Sequence, residues 1–168
     1  MTLTSNTPFD KLIPQMAGTL SHSEFPTASR AALRRMVPGQ PPPLIFYRFA
    51  TDHLPDHWDY SPESRQNWTI MVAGMALMAP TIHDPTRSLG QALAESRFAE
   101  SRLETLFAAS GALQRFLIFR MVRFLALQHQ PCNWLDIAYL LVTEQPDKRE
   151  RLYRRIAQDF YRTISSTG

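Results

Sequence analysis

Pro146-Asp147-Lys148-Arg149-Glu150-Arg151-Leu152-Tyr153-Arg154-Arg155-Ile156-Ala157-Gln158-Asp159-Phe160-Tyr161-Arg162 is the stretch whose periodicity declares itself most plainly. At about 100° per residue, Leu152, Ile156, Phe160 and Ile164 fall on one side, joined by Tyr153 and Ala157. Lys148, Arg151, Arg155 and Arg162 fall on the opposite side. The pattern predicts a helix that docks through its apolar face and offers a guanidinium-rich face to an anion. Asp147 and Glu150 have the spacing of a capping box, with Asp in place of Ser or Thr, which puts the helix cap at Asp147.

Similar helix signals recur upstream. Ser61-Pro62-Glu63 reads as an N-cap, a proline at the first helical position and an acidic first turn, launching a helix to about Ala79. Ser88 caps a short helix to about Glu95, another covers Phe98 to Ser110, and the most hydrophobic runs from Ala112 to about His129. Asn133-Trp134-Leu135-Asp136 opens a helix to about Thr143. Weaker segments cover Phe9 to Ala17, Pro26 to Met36 and Pro43 to His53. No stretch alternates cleanly and no Asn-Gly or Asp-Gly hairpin signal occurs. The expected fold is all-α, with about eight or nine helices, no significant β-sheet and two small lobes. The boundary is placed in Pro80 to Thr86, giving an N-terminal lobe over 1–84 and a C-terminal lobe over 85–168.

Composition narrows the function. A single cysteine, Cys132, excludes an internal disulfide and points to a reducing, cytoplasmic setting. No secretory signal is read at Met1 to Asn6, and the apolar run Trp68 to Ala79 is too short for a bilayer span, so it is expected to be a buried core helix. Of the 18 cationic residues 16 are arginine, whose planar fork suits phosphate. They are uneven: residues 1–84 balance at −1 and residues 85–168 at +4, so the second half is expected to face the anion.

Catalytic chemistry is hard to find. There is no Gly-x-Ser-x-Gly, the six glycines never cluster into a phosphate loop, and Cys132 reads as a structural thiol. His53 and His57, beside Asp52, Asp56 and Asp59, superficially suggest a metal site, but Pro55 keeps them off one helix face and a solvated loop is expected. Arg115, Arg120 and Arg123 sit in an otherwise apolar helix with no acid from Thr105 through Leu135. Their heads must emerge at a surface, where three together would form a basic patch.

Several segments together resemble the small subunit of the type I-E CRISPR Cascade complex, the CasB family. They are Arg34-Arg35-Met36, Ile45-Phe46-Tyr47-Arg48, Ser88-Leu89-Gly90-Gln91-Ala92-Leu93, Glu100-Ser101-Arg102-Leu103, Val122-Arg123-Phe124-Leu125, Asn133-Trp134, and Lys148-Arg149-Glu150-Arg151 with Asp159-Phe160-Tyr161. Their order and spacing over about 30–162 carry the likeness. Asn133 departs from the Asp that the family usually places before the Trp, and the proline-rich connector Pro38 to Pro43 is a second departure.

The resemblance implies a non-catalytic, all-helical protein without cofactor, present as two copies in an RNA-guided complex. It implies contacts with backbone and large subunits and with the target and displaced DNA strands, through sugar-phosphate rather than bases. Positions matching basic sites of the family are Arg34, Arg35, Arg65, Arg102, Arg123, Lys148 and Arg149. The residue reading adds Arg115, Arg120, Arg151 and Arg155. Glu104 and Glu150 are close enough in sequence to neutralise Arg102 and Arg149. The final helix rises ~21 Å from Lys148 to Arg162, against ~3.4 Å per phosphate of one strand, so its four outward cations need help from other elements. Two other readings stand beside this one: a protein-interaction scaffold whose basic face meets an acidic partner, and a small enzyme built around His53, His57 and Asp56.

Overall fold

The computed structural model describes residues 8–167, which form nine helices and no sheet. In chain order they are α1 (Pro8–Ser21), α2 (Thr27–Arg34), α3 (Leu44–His53), α4 (Pro62–Met78), α5 (Leu89–Glu95), α6 (Glu100–Ala108), α7 (Gly111–Leu127), α8 (Trp134–Val142) and α9 (Pro146–Ser166). The all-α expectation holds, and the expected segments match these helices to within a few residues.

α4 is the centre. Ser61 accepts a hydrogen bond from the Ser64 N–H at 3.0 Å, Pro62 occupies the first turn, and every residue from Asn67 to Ala76 is buried. A helix apolar on all sides must be surrounded, and α4 is packed by α1, α2, α7 and α8. Gly74 is what lets two of them close in: an added Cβ would sit 2.7 Å from the Trp134 ring and 2.8 Å from Val122. One apolar cluster therefore runs from Ile13 on α1 through Met71 and Val122 to Ile156 on α9, across the 79–88 connector.

α5 and α9 form the tightest pair. Leu152, Ile156 and Phe160 are the buried stripe of α9, each worth ~1.5–3 kcal/mol on transfer from water. At Gly90 the two backbones nearly touch, since a Cβ there would lie 2.3 Å from the Ile156 carbonyl oxygen. Asp136, on α8, locks the arrangement by accepting the Leu89 N–H at 2.9 Å, one of the orphan donors at the start of α5.

Local chemistry sets the helix ends, and three differ from expectation. α9 is capped by Gln145, not Asp147: Pro146 takes the first helical position, where its fixed φ fits and its missing N–H costs nothing. The capping box does not form, and Glu150 pairs with Arg154 instead. α6 begins at Glu100 rather than Phe98, because Arg97 at φ 59° ends α5 with Arg97 N–H to Ala94 O and Phe98 N–H to Leu93 O. His129 at φ 51° ends α7 in the same manner, through His129 N–H to Ala126 O and Gln130 N–H to Leu125 O.

Candidate nucleic-acid interface

α6 and α7 are joined by Ala109 and Ser110, and Gly111 at φ 58° makes the reversal possible. The two helices fold back on each other, leaving a groove of about 520 Å³ between them. Its floor is apolar: Phe98, Leu106, Leu117, Met121 and Phe124, with Phe98 and Phe124 edge to face at 5.2 Å. Arg102, Arg120 and Arg123 border it, and no carboxylate lines it. Arg102 and Arg123 are exposed and their side chains make no hydrogen bond or ion pair within the described chain; Arg120 lies over the Phe116 ring at 5.9 Å. Three cations beside low-dielectric walls focus a positive potential into the groove.

The third cation of α7 points elsewhere. Arg120 and Arg123 are three residues apart and share a face, but Arg115 lies about 140° round the helix from Arg120. Its Nε donates to the Asn67 side-chain oxygen at 3.0 Å, tying α7 to α4. The expected patch of three α7 arginines is therefore two from α7 and Arg102 from α6.

On α9 the basic residues divide by angle. Lys148 and Arg151 are exposed, Lys148 without a partner in the described chain and Arg151 reaching only the Asp147 carbonyl at 3.4 Å. Arg162 lies 4.0 Å from Asp159. Arg149 turns inward: it donates to the Thr143 carbonyl at 3.3 Å, to the Tyr153 hydroxyl and to Gln114, whose side chain is only 3% exposed. Arg115 borders the same small cleft. Arg155 pairs with Asp136, the carboxylate that also caps α5, so its head is half exposed but committed. Neither acidic neighbour assigned from sequence acts as expected: Glu150 binds Arg154 and Glu104 makes no ion pair with Arg102.

The N-terminal cations are scattered. Arg34 donates through Nε to the Ala76 carbonyl at 3.2 Å, stabilising the C-terminal turn of α4. Arg35 is exposed without a side-chain partner in the described chain, and Arg65 reaches the Asp59 carbonyl at 3.3 Å. The groove thus gathers the sequence candidates Arg102, Arg120 and Arg123 around a single concavity.

Sequence reasoning missed the apolar part of the site. Leu113, Phe116 and Leu127 stand 58%, 52% and 78% exposed on the outer face of α7. The signal was available: Phe116, Arg120, Arg123 and Leu127 recur at spacings of four, three and four, one helical stripe in which two cations lie between two apolar residues.

The remaining titratable groups of the described residues are held within the fold or stand at its surface. His53 packs against the Phe49 ring, and no group of three or more His, Cys, Asp or Glu is placed to hold a metal among the described residues. Cys132 is fully buried, which pushes its thiol well above the ordinary range and keeps the nucleophilic thiolate out of reach. Burial holds His83 below its usual value, outweighing Asp84 and Asp136, and its Nδ1 accepts the Trp134 N–H at 3.1 Å. No helix of the described residues is long and apolar enough to cross a membrane.

No curated protein matches this chain. A chain of the E. coli Cascade complex, solved bound to a PAM-containing double-stranded DNA target, superposes with a TM-score of 0.63 at 21% identity, over 91% of this chain and 96% of that one, a likeness of fold. Residues 29–161, from α2 to the body of α9, match the family described as CRISPR-associated protein Cse2, and the chain belongs to that family.

Proposed function

We propose that this protein is a non-catalytic small subunit of an RNA-guided Cascade complex that holds separated DNA strands through phosphate contacts and so stabilises the R-loop. The observation that carries the reading is the convergence of Arg102, Arg120 and Arg123, from two helices, on one groove without a neutralising carboxylate. Family membership and the likeness to a Cascade chain supply the setting. Sequence selection is the task of guide pairing, which leaves phosphate as the partner the arginine forks are suited to hold. Lys148, Arg151 and Arg35 are further exposed cations open to phosphate, whereas Arg34, Arg115, Arg149 and Arg155 hold the fold.

The exposed Leu44, Tyr60, Leu113 and Phe116 support a second, compatible task, contact with protein neighbours: the backbone and large subunits and a second copy of the chain.

Binding of a labelled single strand over a salt series tests the proposal. Affinity should fall steeply with salt, and R102A/R120A/R123A should lower the log–log slope by about two, at ~0.7 per lost phosphate contact, with helical content unchanged. A slope that the triple variant leaves unaltered removes the groove from the DNA surface. A wild-type affinity indifferent to salt removes phosphate contact altogether.

A further inference from the structure

The groove is more than a phosphate clamp. A surface that touches only sugar-phosphate needs cations and hydroxyls and gains nothing from an apolar floor. Here Leu117 and Phe124, both partly covered, present apolar surface above the buried Phe98, Leu106 and Met121, and Leu127 stands open to water at the rim. We propose that this groove takes an unstacked base, and that it therefore selects single-stranded over duplex nucleic acid. The proposal rests on the reading of the groove as a DNA surface and names what enters it.

Shape and charge agree on this occupant. At about 520 Å³ the concavity is of the size that buries a small organic molecule, and a base with its sugar belongs to that class. Three arginines exceed what a neutral base needs, so the rim serves the phosphates on either side of it. Phe124 offers ring surface and Arg120, held against Phe116, a planar guanidinium; both stack on any base without regard to its identity. Ser101 and Thr105 line the groove; the Ser101 hydroxyl donates to or accepts from a base edge, while Thr105 Oγ1, which donates to the Ser101 carbonyl at 2.8 Å, keeps its acceptor capacity. In a duplex the bases are closed in the stack, so its backbone would meet the rim and leave the floor wet. Only a strand free to turn a base outward satisfies both.

The test uses the full chain and three probes of one length: a single strand with a central 2-aminopurine, its duplex, and a strand carrying abasic sites. Binding of the single strand should raise 2-aminopurine emission as the base leaves its neighbours, and the abasic strand should bind about 5- to 100-fold more weakly. Leu127→Ser, at an exposed position, should weaken the natural strand several-fold, spare the abasic strand and leave the salt slope unchanged. Equal binding of natural and abasic strands with a steep salt slope overturns base docking and leaves the phosphate reading standing; loss of the salt slope overturns both. With Leu127 replaced by photoreactive benzoylphenylalanine in the assembled, target-bound complex, a DNA adduct supports the proposal. An adduct to an acidic segment of a neighbouring subunit, or none, overturns it.

Discussion

Gly90 and Gly18 both lie inside helices, yet replacing each by Ala should move stability in opposite directions. At Gly18 no atom lies within 4 Å of the added Cβ, and Ala in a helix is favoured over Gly by up to ~1 kcal/mol. At Gly90 the Cβ would stand 2.3 Å from the Ile156 carbonyl oxygen, 2.8 Å from Asp159 Cβ and 2.9 Å from the Phe160 nitrogen, about 1 Å short of ordinary contact at the nearest. Two of these are backbone atoms of α9, which no rotamer change moves. α9 must lift away from α5, loosening the seat of Leu152, Ile156 and Phe160. Overpacking costs ~1–3 kcal/mol, and three atoms inside 3 Å place this site in the upper part, ~2–3 kcal/mol; the helical gain of Ala returns ~1 kcal/mol, leaving a net loss of about 1–2 kcal/mol. For a chain of 168 residues each kcal/mol is worth ~2–4 °C. Thermal melts followed by circular dichroism should place Gly90→Ala about 2–8 °C below wild type and Gly18→Ala at or slightly above it. A Gly90→Ala protein as stable as wild type would mean that α5 and α9 do not meet backbone to backbone.

Two further perturbations probe the polar contacts. Asp136→Ala strips a buried Leu89 N–H of its acceptor and Arg155 of its partner, and should cost ~1.5–3 kcal/mol in urea denaturation; Arg155→Ala should cost less, because the arginine head is half exposed and the cap survives. Equal losses would place the stabilisation in the ion pair and not in the cap. His83 gives a pH signature: its folded pKa lies below the ordinary 6.5, so the unfolded chain takes up the proton first as pH falls. Stability from this group is complete above about pH 6.5 and declines below it, and His83→Asn, which keeps an acceptor for the Trp134 backbone N–H, should remove that decline as pH falls below about 6.5. Parallel melts of the two proteins across this window would exclude His83 as the source.

The fold was largely legible because its signals are local. Ser61-Pro62-Glu63, Ser88 and Asn133 announce helices by side chains that do cap α4, α5 and α8. The ends that went astray depend on contacts no window contains. Arg97 and His129 adopt a left-handed conformation without being glycine, since the closing hydrogen bonds and, after α5, the burial of Phe98 against the core hold them there. Gly90 reads in sequence as a weak point of a short helix, and only the approach of α9 explains it.

The arginines teach a sharper lesson, because part of what the sequence reading missed was in the sequence. Arg149 precedes Leu152, Tyr153, Ile156 and Phe160 by three, four, seven and eleven residues, which sets it on the docking stripe of α9 and not on its outer face. An arginine on an apolar stripe must find acceptors inside, and Gln114, Tyr153 and the Thr143 carbonyl are those acceptors. Conversely, Phe116 and Leu127 share a stripe with Arg120 and Arg123, so apolar groups stand in water where cations gather. The two inversions are one argument. A charged residue in an apolar stripe serves the fold, while an apolar residue in a charged stripe stands open to water. Net charge counts both kinds alike, and helical phase separates them. That phase moves the weight of the basic surface from α9, where the charge is densest, to the groove between α6 and α7, where it is unopposed.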